Sequence, residues 1–421
     1  MNMISDRPET QTHFDCLITG SGPTGMVAAL RAAHAGLQVA LIGPSINVED
    51  KRTTAILGPS LDALADVGLA TAFDAIGTPL MTMRILDGSR RLLRAPAISF
   101  GSDEIERDAF GLNCRNGDIN RTLDDAVRAS NAITRFEGFA GIIDLSNRPA
   151  RVTLDSGKTV TGKAIIAADG RNSPSRNAAG ISVRRWSYPQ TAAVGTVSHD
   201  KPHDFISTEL HTETGPFTFV PLPDQDTDSG YRHQSSFVCV LSPDLAEKFS
   251  AMEAHAANRF LEKRSLHVLG QLSLQAPVQL WPLGGLLAGS FAKRGVFLTG
   301  ETGHAFPPIG AQGLNLSIRD AMDAVSTVAE ALDEGRDPAS MLVAARYNAK
   351  RRADVWSRTL GVDALNRSLL TGNLAIQAAR AVALGAASRS SRLKQGLMVA
   401  GLAPLSVKSA RDALQKIARP A

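Results

Sequence analysis

The sequence predicts an α/β (α+β) fold that combines an N-terminal βαβ domain, an inserted mixed β-sheet and a helical C-terminus. Three observations predict this fold. Residues 14–42 have the pattern of a strand, a glycine loop, a helix and a second strand. Residues 182–282 are β-prone and interrupted by Pro, Gly and Asp turns. Helical patterns occupy the chain after Ile318. The first domain is therefore expected to be Rossmann-like.

The first βαβ unit is predicted from apolar runs and their ends. Phe14–Thr19 is a short apolar run that stops at a glycine loop. An Ala-rich helix, Met26–Ala35, follows, and Gly36 suits the position after its last turn. Leu37–Ile42 is a second apolar strand.

The loop between strand and helix has the pattern G-x-G-x-x-G, which is typical of dinucleotide-binding sites. Gly20 permits a tight turn, Gly22 lets the backbone approach a pyrophosphate, and Gly25 lets helix and strand pack closely. The pyrophosphate then lies at the helix N-terminus, beside Pro23 and Thr24. The acid expected at the end of the second strand is absent, because Gly43-Pro44 stands there. This absence weakens an NAD interpretation more than an FAD interpretation; Glu49 or Asp50 could replace the acid.

A second glycine loop lies almost three hundred residues downstream. Val296–Thr299 reads as a buried strand, and the loop after it contains four glycines and two prolines. A helix is predicted to begin near Gly313. The two loops, in this order, predict the two ends of one flavin site.

The middle of the chain predicts further strands. Ile142–Leu145, Arg151–Leu154 and Thr159–Thr161 read as short strands, with a hairpin turn at residues 155–157. Ala164–Ala168 reads as a buried strand that ends in Asp169-Gly170. The β-prone stretch that follows contains one helical piece, at Leu245–Glu262.

Length and composition limit the class of protein. A chain of 421 residues predicts two or three domains. We expect a first part of an FAD-binding domain at 1–180, a substrate-side sheet at 181–285, the second part of the FAD-binding domain at 286–335, and a helical region at 336–421. The polar start, the lack of a long apolar run and three widely spaced cysteines predict a cytoplasmic protein. No residues have metal-ligand spacing, so no metal is expected.

The C-terminal region is basic. From Arg380 onward there are eight Lys/Arg and one acid, Asp412, whereas the rest of the chain has 37 basic and 40 acidic residues. Pro404–Arg419 has an apolar helical face and a basic one. One interpretation is a helix that contacts the inner face of a membrane, since no nucleic-acid motif is present. The other is a helix that packs on its own protein or on a dimer partner.

Together these motifs resemble the single-component FAD-dependent aromatic hydroxylases of the para-hydroxybenzoate hydroxylase fold. The landmarks that carry the resemblance are Gly20–Gly25, Asp169-Gly170 with Ser173 and Arg176, and Gly300-Glu301 followed by Gly313. Within that group the chain looks most like the ubiquinone-biosynthesis hydroxylases (UbiH/UbiF type). The segments that favour this subgroup are 308–320 (PIGAQGLNLSIRD), 50–55 (DKRTTA), and Tyr347, Arg351 and Asp354.

The resemblance implies roles for particular residues. Glu301, where the family usually has Asp, would hydrogen-bond the ribitol chain. Arg52 and Asn116 would lie near the flavin, and Asp169 would bridge the cofactor and the nicotinamide site. Asn116 could instead cap a helix, and His304 is favoured as a core histidine. Backbone N–H groups of the second loop would face the flavin ring, from Gly310, Ala311, Gln312, Gly313 and Leu314, and Asn315 would also contact the cofactor. The family usually has Ala-Gly where this chain has Gly310-Ala311.

The resemblance also implies an activity. FAD would form a C4a-hydroperoxide and hydroxylate the ring of a polyprenylated phenol in ubiquinone biosynthesis, with O₂ as co-substrate. The flavin carries this chemistry, and no side chain is assigned a catalytic role. NAD(P)H or a ferredoxin-type protein would donate electrons, and some relatives work in quinone-synthesis complexes. The alternatives are a hydroxylase of a soluble aromatic compound, a halogenase, a polyprenyl reductase, or a flavin-binding subunit without catalysis. Trp281-Pro282 does not match the halogenase signature W-x-W-x-I-P.

Overall fold

The structure is a computed structural model that describes residues 13–89, 95–371 and 389–402, with isolated residues between 377 and 386. The predicted tail helix, Pro404–Arg419, lies outside this part of the chain.

The strands are β1 (His13–Thr19), β2 (Val39–Gly43), β3 (Thr53–Leu57), β4 (Thr78–Pro79), β5 (Thr82–Asp87), β6 (Ile98–Gly101), β7 (Gly111–Arg115), β8 (Ile133–Glu137), β9 (Ala140–Asp144), β10 (Ala150–Leu154), β11 (Thr159–Ala167), β12 (Val183–His199), β13 (Ile206–Thr212), β14 (Gly215–Leu222), β15 (His233–Leu241), β16 (Leu272–Leu274), β17 (Gln279–Ala288), β18 (Ala292–Lys293), β19 (Val296–Leu298) and β20 (His304–Ala305). The helices are α1 (Pro23–His34), α2 (Gly58–Ala65), α3 (Ala70–Ile76), α4 (Asn116–Ala129), α5 (Pro174–Ala178), α6 (Pro243–Ser250), α7 (Ala254–Arg264), α8 (Gln312–Asp333), α9 (Met341–Leu370) and α10 (Ser391–Leu402), with 3₁₀ turns at Ser102–Ile105 and Gly300–Thr302.

The first sheet has the order β18-β19-β11-β1-β2-β8, and β10 and β9 continue from β11. The five strands from β19 to β8 in this order are parallel. Their carboxyl ends therefore lie at one edge, which is where open α/β sheets bind ligands. The predicted α/β fold class is confirmed.

Helix α1 shows why the first βαβ unit forms. Pro23 is its first residue, where a missing N–H costs nothing. At the other end Gly36, at φ +81°, donates to Ala33, and Leu37 donates to Ala32. These two bonds satisfy the last carbonyls in a Schellman motif. The α1 residues 25–30 and Ala32 are buried, and they pack against the first sheet and α8.

The second sheet has the order β20-β17-β12-β15-β14-β13-β5-β6, and β16 pairs with β12. Strands β5 and β6 come from the N-terminal third of the chain, and β5 pairs with β13 in parallel. A third, small sheet, β3-β7-β4, lies against the second one. Thr53 Oγ1 donates to Ser236 Oγ across 2.7 Å, which joins the two. The predicted domain boundaries stay a prediction.

Two element predictions differ from the structure. Thr159–Thr161 and Ala164–Ala168 were expected as separate strands, but β11 is continuous because Gly162 faces Leu17 of β1 without a side chain of its own. The helical piece Leu245–Glu262 is two helices, α6 and α7, separated at Ala251–Glu253. No helix in the described part of the chain is long and apolar enough to cross a membrane.

Candidate functional site

The carboxyl edge of the first sheet brings the two glycine loops together. The loops after β1, β11 and β19 all leave at this edge, and the Thr299 N–H donates to Ala167 O at 2.9 Å. Gly300 lies between the helices that follow the two loops. A Cβ placed on Gly300 would lie 2.9 Å from Ser317 Oγ of α8 and 3.3 Å from Thr24 Oγ1 of α1. The structure therefore places residues 20–25 and 300–313 at one site.

Each glycine of the first loop has the environment that its predicted role requires. Gly20 has φ +105°, and a Cβ there would lie 2.1 Å from Ala168 O. A Cβ on Gly25 would lie 1.8 Å from Gly20 O, so helix and loop could not pack. By contrast, no atom lies within 4 Å of a Cβ on Gly22. The open side of Gly22 and the acid-free first turn of α1 fit a pyrophosphate.

Gly43, where an acid was expected, is in contact with the same loop. A Cβ on Gly43 would lie 2.5 Å from the Ser21 backbone nitrogen. Asp50, one of the two suggested substitutes, is already bound to Arg52 and Asn116, whereas Glu49 is exposed. The neighbouring strand β8 places the exposed Glu137 opposite Gly43. Sequence reasoning missed this acid, since strand pairing is not visible in the sequence.

Asp169 has one oxygen bound and one without a partner. Its Oδ2 accepts from the Ser175 N–H at 3.0 Å, at the start of α5. Its Oδ1 is buried and accepts no hydrogen bond within the described residues. A buried acceptor of this kind fits a hydroxyl donor, such as those of a ribitol chain. Gly170 follows at φ +81°.

Glu301 lies in the 3₁₀ turn after β19 and is exposed. Its Oε1 accepts two hydrogen bonds from Arg171, at 2.8 and 3.0 Å. The Arg171 side chain was not among the predicted site residues. Both side chains are about half exposed, so this ion pair is a weak one in solvent. The carboxylate keeps a second oxygen that could accept from a ligand.

The second loop ends in two left-handed residues before α8. Gly310 has φ +63° and Ala311 has φ +52°. The Gly-Ala order thus places a residue with a Cβ in the conformation that favours glycine. No atom lies within 4 Å of a Cβ on Gly313, and the first turn of α8 contains no acid. This open, positive helix end fits the pyrimidine side of a flavin, which becomes anionic on reduction.

Asn315 and Leu314 lie one turn into α8 and face the protein. Asn315 Oδ1 accepts from the Leu57 N–H at 2.8 Å. Its Nδ2 donates to Ala55 O at 2.7 Å and to Ala311 O at 2.6 Å. The buried Asn315 side chain thus holds the loop against β3, and Leu314 packs beside the apolar core.

Arg52 lies over an aromatic ring of β17 in the second sheet. Its guanidinium carbon lies 4.7 Å from the centre of the Trp281 ring. Both side chains are partly exposed, and Trp281 was not among the predicted site residues. Arg52 also donates to Asp50 at 2.6 Å. Burial acts to raise the pKa of Asp50, but hydrogen bonds from Arg52 and Asn116 lower it overall.

Asn116 is the first residue of α4 and not its cap, which is Arg115. Its Oδ1 accepts from Thr54 Oγ1 at 2.7 Å, and its Nδ2 donates to Asp50 at 3.2 Å. His304 is buried, and its Nε2 lies 2.5 Å from Asp320 Oδ2. The interpretation of His304 as a core histidine with a satisfied hydrogen bond is confirmed.

Comparison with known proteins agrees with this geometry. Residues 13–359 match the FAD binding domain family. The chain is similar to the ubiquinone hydroxylase UbiL of Rhodospirillum rubrum, with 27% identity over 91% of this chain and 88% of the relative. It is also similar to the 3-demethoxyubiquinol 3-hydroxylase of Escherichia coli, with 25% identity over 92% of this chain and 97% of the relative.

Among solved structures, the p-nitrophenol 4-monooxygenase PnpA of Pseudomonas putida has the same fold, with a TM-score of 0.73 and 18% identity. That match covers 92% of this chain and 98% of the other. The predicted resemblance to ubiquinone-biosynthesis hydroxylases is confirmed, and the cofactor is FAD. The chain belongs to the FAD binding domain family.

Proposed function

We propose that the protein is an FAD-dependent monooxygenase that hydroxylates the ring of a polyprenylated phenol in ubiquinone biosynthesis. One observation carries this proposal: the two curated relatives named as ubiquinone and demethoxyubiquinol hydroxylases match this chain over nearly their whole length. The similarity therefore includes the second sheet, where the substrate would bind, as well as the FAD-binding domain.

The proposed FAD contacts follow from the geometry of the site. Residues 20–25 would hold the pyrophosphate, and Asp169 and Glu301 would accept from the ribitol hydroxyls. Residues 310–315 would present α8 to the flavin ring, and Glu137 would face the adenosine ribose. When bound, FAD supplies the activation of O₂ that aromatic hydroxylation needs.

Apolar side chains surround β3. Leu57 packs with Leu80, Phe110 and Ile98 in a buried cluster. Ala55 packs against this cluster and its O accepts from Asn315, so the cluster is joined directly to the loop that would hold the flavin ring. The cluster would keep water away from this side of the flavin ring.

Product analysis tests the proposal. The purified FAD-loaded protein is given a demethoxyubiquinol with a short prenyl chain, labelled O₂, and NADH, NADPH or reduced ferredoxin in separate reactions. We expect a product with one labelled oxygen and a single preferred donor. No donor oxidation and no product with any donor would indicate a flavin-binding subunit, whereas release of H₂O₂ without product would show that demethoxyubiquinol is not the substrate. Faster hydroxylation of a soluble phenol such as p-nitrophenol would favour the soluble-substrate alternative.

We also propose that the basic segment 404–421 contacts an anionic membrane, where a polyprenylated substrate resides. The support is the basic charge of this segment and the apolar face that its sequence pattern predicts if it is helical. Full-length protein should sediment with anionic vesicles and lose this binding when 404–421 is deleted. Unchanged vesicle binding would contradict the proposal, whereas dissociation of a dimer would favour the packing interpretation. Association with a quinone-synthesis complex stays a prediction.

A further inference from the structure

A buried cluster of charges lies between α8 and α9. We call it the arginine cluster: Arg319, Arg351, Arg358, Asp320 and Asp354. Asp354 accepts from all three arginines, from Arg319 and Arg351 at 3.0 Å and from Arg358 at 3.1 Å. Arg351 also binds Asp320 at 2.6 Å. Each of the five side chains is at most 12% exposed.

Both ends of the arginine cluster reach the candidate FAD site. At one end Asp320 Oδ2 accepts from the Gly300 N–H at 2.8 Å. At the other end Arg358 Nη1 donates to Gln312 Oε1 at 2.5 Å. Gln312 Nε2 in turn donates to Gly310 O at 2.9 Å. A chain of hydrogen-bonded charges therefore connects the turn at Gly300 to the loop before α8.

Stability alone does not explain such a cluster. Buried ion pairs contribute little net stability, because the cost of removing charges from water offsets their attraction. The loop that Arg358 reaches does need support, since Ala311 is held at φ +52°, a conformation that residues with a Cβ disfavour. Gln312 and Asn315 hold this loop through the carbonyls of Gly310 and Ala311.

The position of the charge matters as well. Arg358 contacts the first residue of α8, at the positive end of the helix. The cation of Arg358 is held there by Asp354, which also accepts from Arg319 and Arg351. A positive group at this point favours a ligand that becomes negative, as a flavin does on reduction.

We propose that Arg358 is a positioning residue that holds Gln312, and through it the loop 310–313, in the conformation that binds FAD, and that its charge favours the reduced cofactor. This inference rests on FAD binding and not on the identity of the aromatic substrate.

The test compares four variants of the full chain by FAD titration and by the midpoint potential of bound FAD. Arg358→Met removes both the charge and the hydrogen bond to Gln312, whereas Arg358→Lys keeps the charge. Gln312→Leu removes the oxygen that accepts from Arg358. Arg352→Met is the control, because Arg352 lies on the exposed side of α9. Arg358→Met leaves Asp354 with two arginines, so no buried carboxylate becomes unpaired.

We expect Arg358→Met to weaken binding of reduced FAD about tenfold more than binding of oxidised FAD. For a two-electron couple, that ratio lowers the potential by about 30 mV. Arg358→Lys should bind both forms more weakly but keep the potential. The effects of Arg358→Met and Gln312→Leu on oxidised FAD should be less than additive, because they remove the same contact.

The proposal is overturned if folded Arg358→Met matches the Arg352→Met control in affinity and potential. If Arg358→Met does not fold, Gln312→Leu decides, since unchanged FAD affinity there contradicts the positioning role. All readouts are made without substrate. If the protein does not hydroxylate the proposed substrate, these measurements still test the role of Arg358. If Arg358 does not have this role, the proposed hydroxylation is unaffected.

Discussion

Replacing Gly22 by alanine should separate cofactor binding from folding. The backbone of Gly22 has φ −71° and ψ 176°, which alanine adopts without strain. No atom lies within 4 Å of the added Cβ. The FAD-free protein should therefore keep its stability, or gain about 0.4–1 kcal/mol from the lower entropy of its unfolded chain.

The cost should appear when FAD binds. The added methyl group projects into the space in front of α1, where the pyrophosphate would approach the backbone. If it displaces one hydrogen bond to a charged phosphate, the loss is about 1.5–3 kcal/mol. That loss corresponds to a Kd for FAD that is about 10- to 150-fold higher. Denaturant unfolding of the FAD-free protein and fluorescence titration with FAD measure the two quantities.

Two further variants make the comparison decisive. Gly25→Ala should destabilise the FAD-free protein by at least about 1–3 kcal/mol, because its Cβ would lie 1.8 Å from Gly20 O. Gly361→Ala, in the exposed part of α9, should stabilise the helix by about 1 kcal/mol and leave the FAD affinity unchanged. If Gly22→Ala bound FAD as tightly as Gly361→Ala does, the pyrophosphate would not lie at this loop.

Three other predictions concern stability. Burial lowers the pKa of His199 from 6.5 to about 4, so the folded state favours the neutral imidazole. The free energy of unfolding should therefore fall by about 3 kcal/mol as the pH drops from 6.5 to 4. Denaturant melts at several pH values measure this fall, which should be smaller in His199→Asn. Asp320→Ala should cost about 3–5 kcal/mol in the same melts, because it leaves the Arg351 guanidinium buried without this partner; a cost below about 1 kcal/mol would mean that Arg351 finds a replacement. Ala311→Gly should stabilise the protein by about 0.5–1 kcal/mol, since relief of the left-handed strain exceeds the added backbone entropy; a lower melting temperature would show that the strain is absent.

Local patterns predicted the fold well. The apolar run before Gly20, the loop and the Ala-rich helix specify the βαβ unit, because each depends on residues adjacent in sequence. The meeting of residues 20–25 with 300–313 was also predictable, since both loops follow buried strands of a parallel sheet. The pairing of β5 with β13 was not predictable, because a parallel pair between distant segments leaves no local signal.

The candidate site was predicted in outline but not in its contacts. The side chain of Asn315 holds backbone atoms some 260 residues away in sequence, a contact that no local pattern shows. The pairs Arg171–Glu301 and Arg52–Trp281 join elements that only the folded chain brings together. Arg358 carried no motif at all. Its contact with Gln312 depends on the packing of α9 against the start of α8, which no periodicity in the sequence reveals.

The contact between Gly43 and Ser21 limits how the cofactor preference of this protein could be redesigned. Dinucleotide-binding folds commonly have an acid at the end of the second strand, where it binds the ribose. An acid at position 43 is therefore the first substitution that a redesign would consider. Here any side chain at position 43 would first displace the Ser21 backbone, which lies 2.5 Å from the position of a Cβ. A single substitution is therefore expected to damage the phosphate loop before it can gain a ribose contact. Redesign would have to remodel the loop first and introduce the acid second, so the order of the two changes decides whether the intermediate protein still binds FAD.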